Sequence, residues 1–130
     1  DDADSDGVYE VIVQVNDMLE QRDISFIVAI LPYEMQISSD AAFTYRNKHN
    51  IFFDDDFYYG FPQKMLEEQL PTRVPRLDLR SAFPPADQNS IGEYFVYDQG
   101  DKLDWNHPNR SGHSLISEYL NEKRQDYLLD

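Results

Sequence analysis

The stretch ISFIVAILP, residues 24–32, is almost continuously apolar and ends at a proline. A strand that is buried on both faces of a parallel sheet has this composition, because helices cover both sides of such a sheet. Upstream, the apolar residues between positions 8 and 22 recur at spacings of three, four and seven, which places them on one face of a helix. A helix, a short turn at Asp23 and a buried strand together predict half of a repeating α/β unit.

The rest of the chain continues this alternation of helices and short strands. We expect helices at residues 39–49, at residues 62–70 and after Asn109, and strands at residues 74–79 and 93–98. Residues 50–61 form an aromatic, acidic loop between the first two of these helices. This order predicts an α/β fold in a single domain of residues 1–130, in which residues 1–7 are a flexible acidic terminus.

The composition excludes several classes of function. The chain has 25 acidic and 11 basic residues, and its net charge of -14 disfavours binding to nucleic acid or to an anionic membrane surface. It contains no cysteine, which excludes disulfides, thiolate metal sites and a cysteine nucleophile. No apolar run approaches the roughly 18 to 20 residues of a membrane span. We therefore expect a soluble protein, and the acidic charge is compatible with an extracytoplasmic or secreted setting.

The segment DWNHPNRSGHSLISEYL, residues 104–120, places Asp104 three residues before His107, in a loop ahead of a helix. In open α/β sheets, reactive groups gather in the loops that follow the carboxyl ends of the strands. A carboxylate in reach of a histidine fixes its tautomer and supports the imidazolium, which is the base half of a nucleophilic triad. The same spacing before a helix is also common as a turn or capping pair, so both interpretations remain open at this point.

This segment resembles the last conserved block of the SGNH, or GDSL-type, hydrolases, which reads Asp-x-x-His-Pro-Asn, then Gly-His and an amphipathic helix. FIVAILPYEMQIS, residues 26–38, resembles the central strand of that family and its following Pro-x-x-x-Gln segment, and VPRLDLRSAF, residues 74–83, resembles the strand and turn before the final block. The resemblance implies a three-layer α/β/α, flavodoxin-like fold. It also implies a Ser-His-Asp triad in which Asp104 orients His107, the general base, with no metal or organic cofactor.

The family's nucleophile block has no match in these 130 residues. Its serine lies in a Gly-Asp-Ser block directly after the first strand, and the oxyanion-hole glycine and asparagine follow in two further blocks, all ahead of the helix that matches residues 8–22. Ser5 has neither a strand nor a glycine before it, and Asn16 lies inside the helix without the preceding glycine. We therefore expect the serine to lie outside this chain, in an amino-terminal segment, a partner chain or a second copy that also covers the edges of the small sheet.

Two classes of function follow from these observations. The first is an esterase or O-acyl hydrolase, or a related O-acetyltransferase, that acts on a small-molecule or carbohydrate ester. The second is a catalytically inactive binding or assembly module, in which Asp104 and His107 only hold a loop. For the isolated chain we expect no esterase activity, because a triad that lacks its nucleophile loses several orders of magnitude in rate.

The other histidines and the loop at residues 50–61 have simpler interpretations. We expect His113 to be a structural residue in the first turn of the last helix and His49 to be a surface residue. The three consecutive acids at residues 54–56 lack the alternating spacing of a calcium loop, so a solvated acidic loop is favoured. The aromatic residues at positions 58, 59 and 61 either line a substrate groove or cap the core.

Overall fold

The computed structural model describes residues 5–51, 60–97, 104 and 106–127. The described elements include the predicted helices and the first two predicted strands, together with a short helix after β1 that was not predicted. In chain order they are α1 (Ser5–Glu20), β1 (Val28–Ile30), α2 (Glu34–Ile37), α3 (Ser39–Lys48), α4 (Phe61–Gln69), β2 (Arg76–Asp78) and α5 (Arg110–Tyr127). Two 3₁₀ turns, Leu79–Ala82 and Ala86–Gln88, lie between β2 and α5.

The predicted helices are confirmed, with small changes at their ends. α1 begins at Ser5, so residues 5–7 of the expected flexible terminus are helical. It is followed by a turn in which Asp23 has a left-handed φ of 56°. Pro62 lies in the first turn of α4, where a missing N–H costs no hydrogen bond, and the side-chain oxygen of Asn109 caps α5. No helix in the described part of the chain is long and apolar enough to span a bilayer.

β1 and β2 run parallel, with Ala29 opposite Leu77 at the centre of the register. The fold is therefore α/β in the coarse sense of helices alternating with a small parallel sheet. β1 is shorter than the predicted strand, because it pairs with only three residues of β2. The expected burial on both faces is not found within the described residues, since Ala29 is exposed and Leu31 is 42% exposed.

The predicted third strand at residues 93–98 is wrong over its described part, residues 93–97. Phe95 makes only an isolated antiparallel bridge with Pro108. The reason is a contact from further along the chain, because the side-chain amide of Asn109 donates to the carbonyls of Gly92, Glu93 and Phe95 at 3.0–3.1 Å. These carbonyls are bound by a side chain and form no ladder with a neighbouring strand.

Two buried clusters lie around α2, and Leu77 of β2 is buried as well. One cluster joins Met35 of α2 to Tyr45 of α3. A second cluster joins Ile37, at the other end of α2, to Phe95, and residues of α5 pack against it. Because Phe95 is 1% exposed, the core anchors the segment that runs beside the loop of Asp104 and His107.

Candidate functional site

Asp104 and His107 are in contact. Nδ1 of His107 lies 2.7 Å from Oδ1 and 2.8 Å from Oδ2 of Asp104. A carboxylate only accepts hydrogen bonds, so this contact requires the proton of the neutral imidazole to be on Nδ1 and leaves Nε2 as the basic nitrogen. The His107 side chain is 74% exposed, and its contact with Asp104 leaves the opposite edge of the ring open to an approaching group.

The Asp104 carboxylate also organises the turn between the two residues. Its Oδ1 accepts from the backbone amides of Asn106 at 3.3 Å and His107 at 3.2 Å. The hydrogen bond from the His107 side chain is the main cause that lowers the pKa of Asp104. Desolvation opposes it, while the amides of Asn106 and His107 and the charge of the imidazolium lower the pKa further. Asp104 therefore stays ionised near neutral pH, as an acid must if it is to support an imidazolium.

A short backbone ladder holds the loop against the core. The Val96 amide donates to the His107 carbonyl at 2.9 Å, and the Asn109 amide donates to the Tyr94 carbonyl at 2.9 Å. The Asn109 side chain adds its bonds to the same segment and caps α5 at the same time. The backbone of His107 is thus held between a segment that is anchored in the core and the start of α5.

Gly112 lets α5 approach this segment closely. A Cβ atom at this position would lie 2.2 Å from the Tyr94 carbonyl oxygen and 3.0 Å from Cβ of Pro108. Since real Cβ atoms do not approach a carbonyl oxygen that closely, only glycine fits without a shift of the helix or of the loop. The glycine of the quoted Gly-His pair therefore has a packing role next to the candidate site.

Glu34 is a buried acid that the sequence analysis did not single out. It is the first residue of α2 and only 1% exposed. Its Oε2 accepts from the Tyr45 hydroxyl at 2.5 Å, and its Oε1 accepts from the Gly92 amide at 2.5 Å. Burial raises the pKa of Glu34, and the two donors offset part of that rise. The available signal was an acid enclosed by apolar and aromatic residues directly after the strand, in the stretch PYEMQI.

The other candidate residues lie apart from this pair, and one of them differs from its prediction. His49 is half-buried and not a surface residue, and its Nε2 is buried without a hydrogen-bond partner in the described part of the chain. His113 is exposed in the first turn of α5, and its backbone amide donates to the Asn109 carbonyl. Asn16 is buried within α1, and Ser5 begins α1. Residues 54–56, 58 and 59 lie outside the described residues, as does the side chain at position 61.

The described residues do not complete a triad or a metal centre. Among them, no serine forms a hydrogen bond with His107. Nor do they contain a group of three or more His, Cys, Asp or Glu side chains that could hold a metal ion. Asp104 and His107 are thus the two site residues that the structure brings together.

An open groove lies between the sheet and α5. It has a volume of about 630 Å³, with Ile27 and Ala29 on the strand side and Ile116 and Leu120 on the helix side. The described residues that line it also include His113 and two basic residues of α5, and they include no acid. The whole chain has a net charge of -14, so an apolar groove whose described lining includes basic residues and no acid differs in charge from the chain as a whole.

Comparison of the chain with protein-family models, with characterised proteins and with solved structures finds no match.

Proposed function

We propose that Asp104 and His107 are the acid and general base of a Ser-His-Asp triad, in an SGNH-type hydrolase that acts on a small-molecule or carbohydrate ester. The observation that carries the proposal is the contact of Nδ1 of His107 with both carboxylate oxygens of Asp104. That contact leaves Nε2 as the base, and the high exposure of the ring leaves room for a hydroxyl. The resemblance of residues 104–120 to the last SGNH block supplies the reaction class.

The reaction follows from these two roles. His107 Nε2 removes the proton of a serine hydroxyl while the serine oxygen attacks the acyl carbonyl, and the negatively charged Asp104 supports the imidazolium that forms. The imidazolium then returns the proton to the leaving alcohol, which yields an acyl-enzyme. Water, or the hydroxyl of an acceptor in a transferase, attacks that ester with His107 again as the base.

We further propose that the serine comes from outside these 130 residues, in an amino-terminal segment, a partner chain or a second copy. This expectation is supported by the surface of the sheet. Only one edge of β1 is paired in the described residues, and Ala29 and Leu31 are exposed beside it. A segment that adds a strand to β1 and fills the adjoining groove would bury this surface and build the three-layer α/β/α domain that the resemblance implies.

The alternative is a catalytically inactive binding or assembly module. It is favoured by the exposure of the pair, since catalytic groups work in a site from which water is excluded, whereas the His107 side chain is 74% exposed. In this alternative, Asp104 holds the turn through the two backbone amides alone. The same segment could then cover the sheet without bringing a serine to His107.

Hydrolysis assays on matched variants separate the two functions. The protein is prepared from its full reading frame with whatever polypeptide copurifies with it, and short acyl esters and acetylated sugars serve as substrates. The proposal predicts activity that His107→Ala and Asp104→Ala remove, while the control Lys48→Ala retains it, because Lys48 is exposed on α3 and lies outside both the pair and the lining of the groove. Hydrolysis that survives His107→Ala, or none in any preparation, would favour the module.

A further inference from the structure

Glu34 is placed where it connects the core to the loop of Asp104 and His107. Its carboxylate is almost completely removed from solvent, and its two oxygens each accept one bond of 2.5 Å, from Tyr45 and from Gly92. Tyr45 is fully buried in the core cluster of α2 and α3. Gly92 begins the segment of residues 92–96 that runs beside that loop, 58 positions further along the chain. The carboxylate therefore joins α2 and α3 to a segment that pairs only with the loop of His107.

From Gly92, hydrogen bonds joined by short stretches of backbone lead to His107. The Gly92 carbonyl accepts from the side chain of Asn109, and the backbone amide of Asn109 donates to the Tyr94 carbonyl. Two residues later, the Val96 amide donates to the carbonyl of His107 itself. The position of the His107 backbone thus depends on the segment of residues 92–96. Glu34 holds the Gly92 end of that segment, beside the bond from the Ile91 amide to Asp40 at 3.0 Å.

A buried carboxylate suits this task, because it can accept from two donors that point in different directions. The peptide conformation at Gly92 has a φ of 76°, which an L side chain rarely adopts, and its amide points at the acid. Without an acceptor at position 34, the part-buried Gly92 amide would lose this hydrogen bond. The segment would then have to move toward water, and His107 would move with it.

We propose that Glu34 is a positioning residue for His107, which acts through Gly92 and the segment of residues 92–96 to hold the imidazole ring against Asp104. Its importance for catalysis rests on the proposed function, whereas its hold on the ring does not. Glu34 touches neither residue of the pair through a described hydrogen bond, so it is not itself a catalytic residue.

The tautomer of His107 reports the position of the ring directly. The nitrogen chemical shifts of Nδ1 and Nε2 are measured by NMR in the 130-residue chain at about pH 8, above the usual titration range of histidine. The signals are assigned with His107→Gln, since the chain has three histidines. With the ring held on Asp104, the wild type should show one tautomer, with the proton on Nδ1.

Three substitutions of Glu34 separate hydrogen bonding from shape. Glu34→Leu removes both acceptors at similar volume, and the His107 signals should shift to the averaged values of a free imidazole. Glu34→Gln should retain the wild-type signals, because its carbonyl can accept from Gly92 while its amide donates to the Tyr45 oxygen. If Glu34→Leu does not fold, Glu34→Asp replaces it, since a carboxylate one methylene shorter cannot reach both donors and should show the same loss.

The control is Leu70→Ala, which destabilises the chain at the end of α4 without touching the segment of residues 92–96. Leu70 is 3% exposed, and the comparison is made where both variants have the same folded fraction. The proposal is overturned if folded Glu34→Leu or Glu34→Asp keeps the single tautomer, or if Leu70→Ala loses it to the same extent. Because the measurement requires no serine and no substrate, its failure and the failure of the hydrolysis assays are distinguishable.

Discussion

Nδ1 of His107 lies between 2.7 and 2.8 Å from the two carboxylate oxygens of Asp104, while the side chain of His107 remains 74% exposed. Asp104 has a structural use, because it accepts from two backbone amides of the turn. The exposed ring adds little packing to the chain. In the proposed triad, this close orientation would serve Nε2 of the exposed ring and not the stability of the loop.

Substitutions of His107 and of Asp104 should therefore have different effects on the free energy of unfolding. We expect His107→Ala to change the free energy of unfolding by less than about 0.5 kcal/mol, as for most exposed substitutions. Asp104→Ala should cost more, because the amides of Asn106 and His107 lose their acceptor. Urea unfolding of both variants checks this order. A large loss for His107→Ala would instead mark the ring as a structural element.

Asn109 has two roles that a single substitution can separate. Asn109→Asp keeps the side-chain oxygen that caps α5, and the two residues cap helices about equally well. It removes the amide that donates to the carbonyls of Gly92, Glu93 and Phe95. We expect a loss of about 1–2 kcal/mol in the free energy of unfolding.

The control for this change is Asn121→Asp, which adds the same charge at an exposed position of α5. It should alter the free energy of unfolding by no more than about 0.5 kcal/mol. Equal stabilities of the two variants would mean that the bonds from Asn109 to the loop carbonyls contribute nothing.

Two helical glycines should respond in opposite directions to alanine. Gly112→Ala drives a Cβ atom into the Tyr94 carbonyl, and we expect a loss of about 1–3 kcal/mol from the resulting shift of α5. Gly7→Ala meets no atom within 4 Å, so it should stabilise α1 by up to about 1 kcal/mol. Thermal unfolding of both variants tests this. The close approach of α5 is refuted if Gly112→Ala is as stable as Gly7→Ala.

The buried Glu34 predicts a specific dependence of stability on pH. Burial raises the pKa of Glu34 above the ordinary value of 4.5, with a further rise from Asp40 of α3, so the folded chain binds this proton more tightly than the unfolded chain. The resulting stability is fully present below about pH 4.5 and is lost as the pH rises through the raised pKa. Glu34→Gln does not titrate, so the wild type should lose stability relative to this variant over that window.

Urea unfolding of the wild type and Glu34→Gln at a series of pH values measures this difference. Asp104, whose lowered pKa stabilises the fold above the ordinary value of 3.8 and ceases to do so as the pH falls, does not obscure the difference, because both proteins contain it. A difference between the two proteins that is constant, or that grows in favour of the wild type as the pH rises, would contradict the assignment of Glu34 as a buried acid with a raised pKa.

The helices were predictable because their signals are local. Periodic apolar residues, Pro62 in a first turn and Asn109 at a cap each act within a few positions of the chain. The contact of Asp104 with His107 was also predictable, since a separation of three residues in a turn brings the two side chains together. In each case, the residues that decide the structure are near one another in sequence.

The strands and Glu34 were less predictable because distant partners determine them. The apolar run around β1 is a strand only where β2, almost fifty positions later, offers residues to pair with. Residues 93–97 have the composition of a strand, but the side chain of Asn109 binds their carbonyls. Glu34 at a helix start usually indicates a solvated acid, and its burial depends on Tyr45 and on Gly92.

Labelling with a serine-directed phosphonate tests the central claim most directly. Tagged wild-type chain, His107→Ala and the control Lys48→Ala are expressed in the native cell, treated with the probe and purified with their bound partners, and labelled peptides are identified by mass spectrometry. The proposal predicts that a serine outside the 130 residues is labelled with the wild type and Lys48→Ala, and not with His107→Ala. Labelling that persists with His107→Ala, labelling of a serine within the chain such as Ser5, or no labelled serine in any sample would contradict the triad.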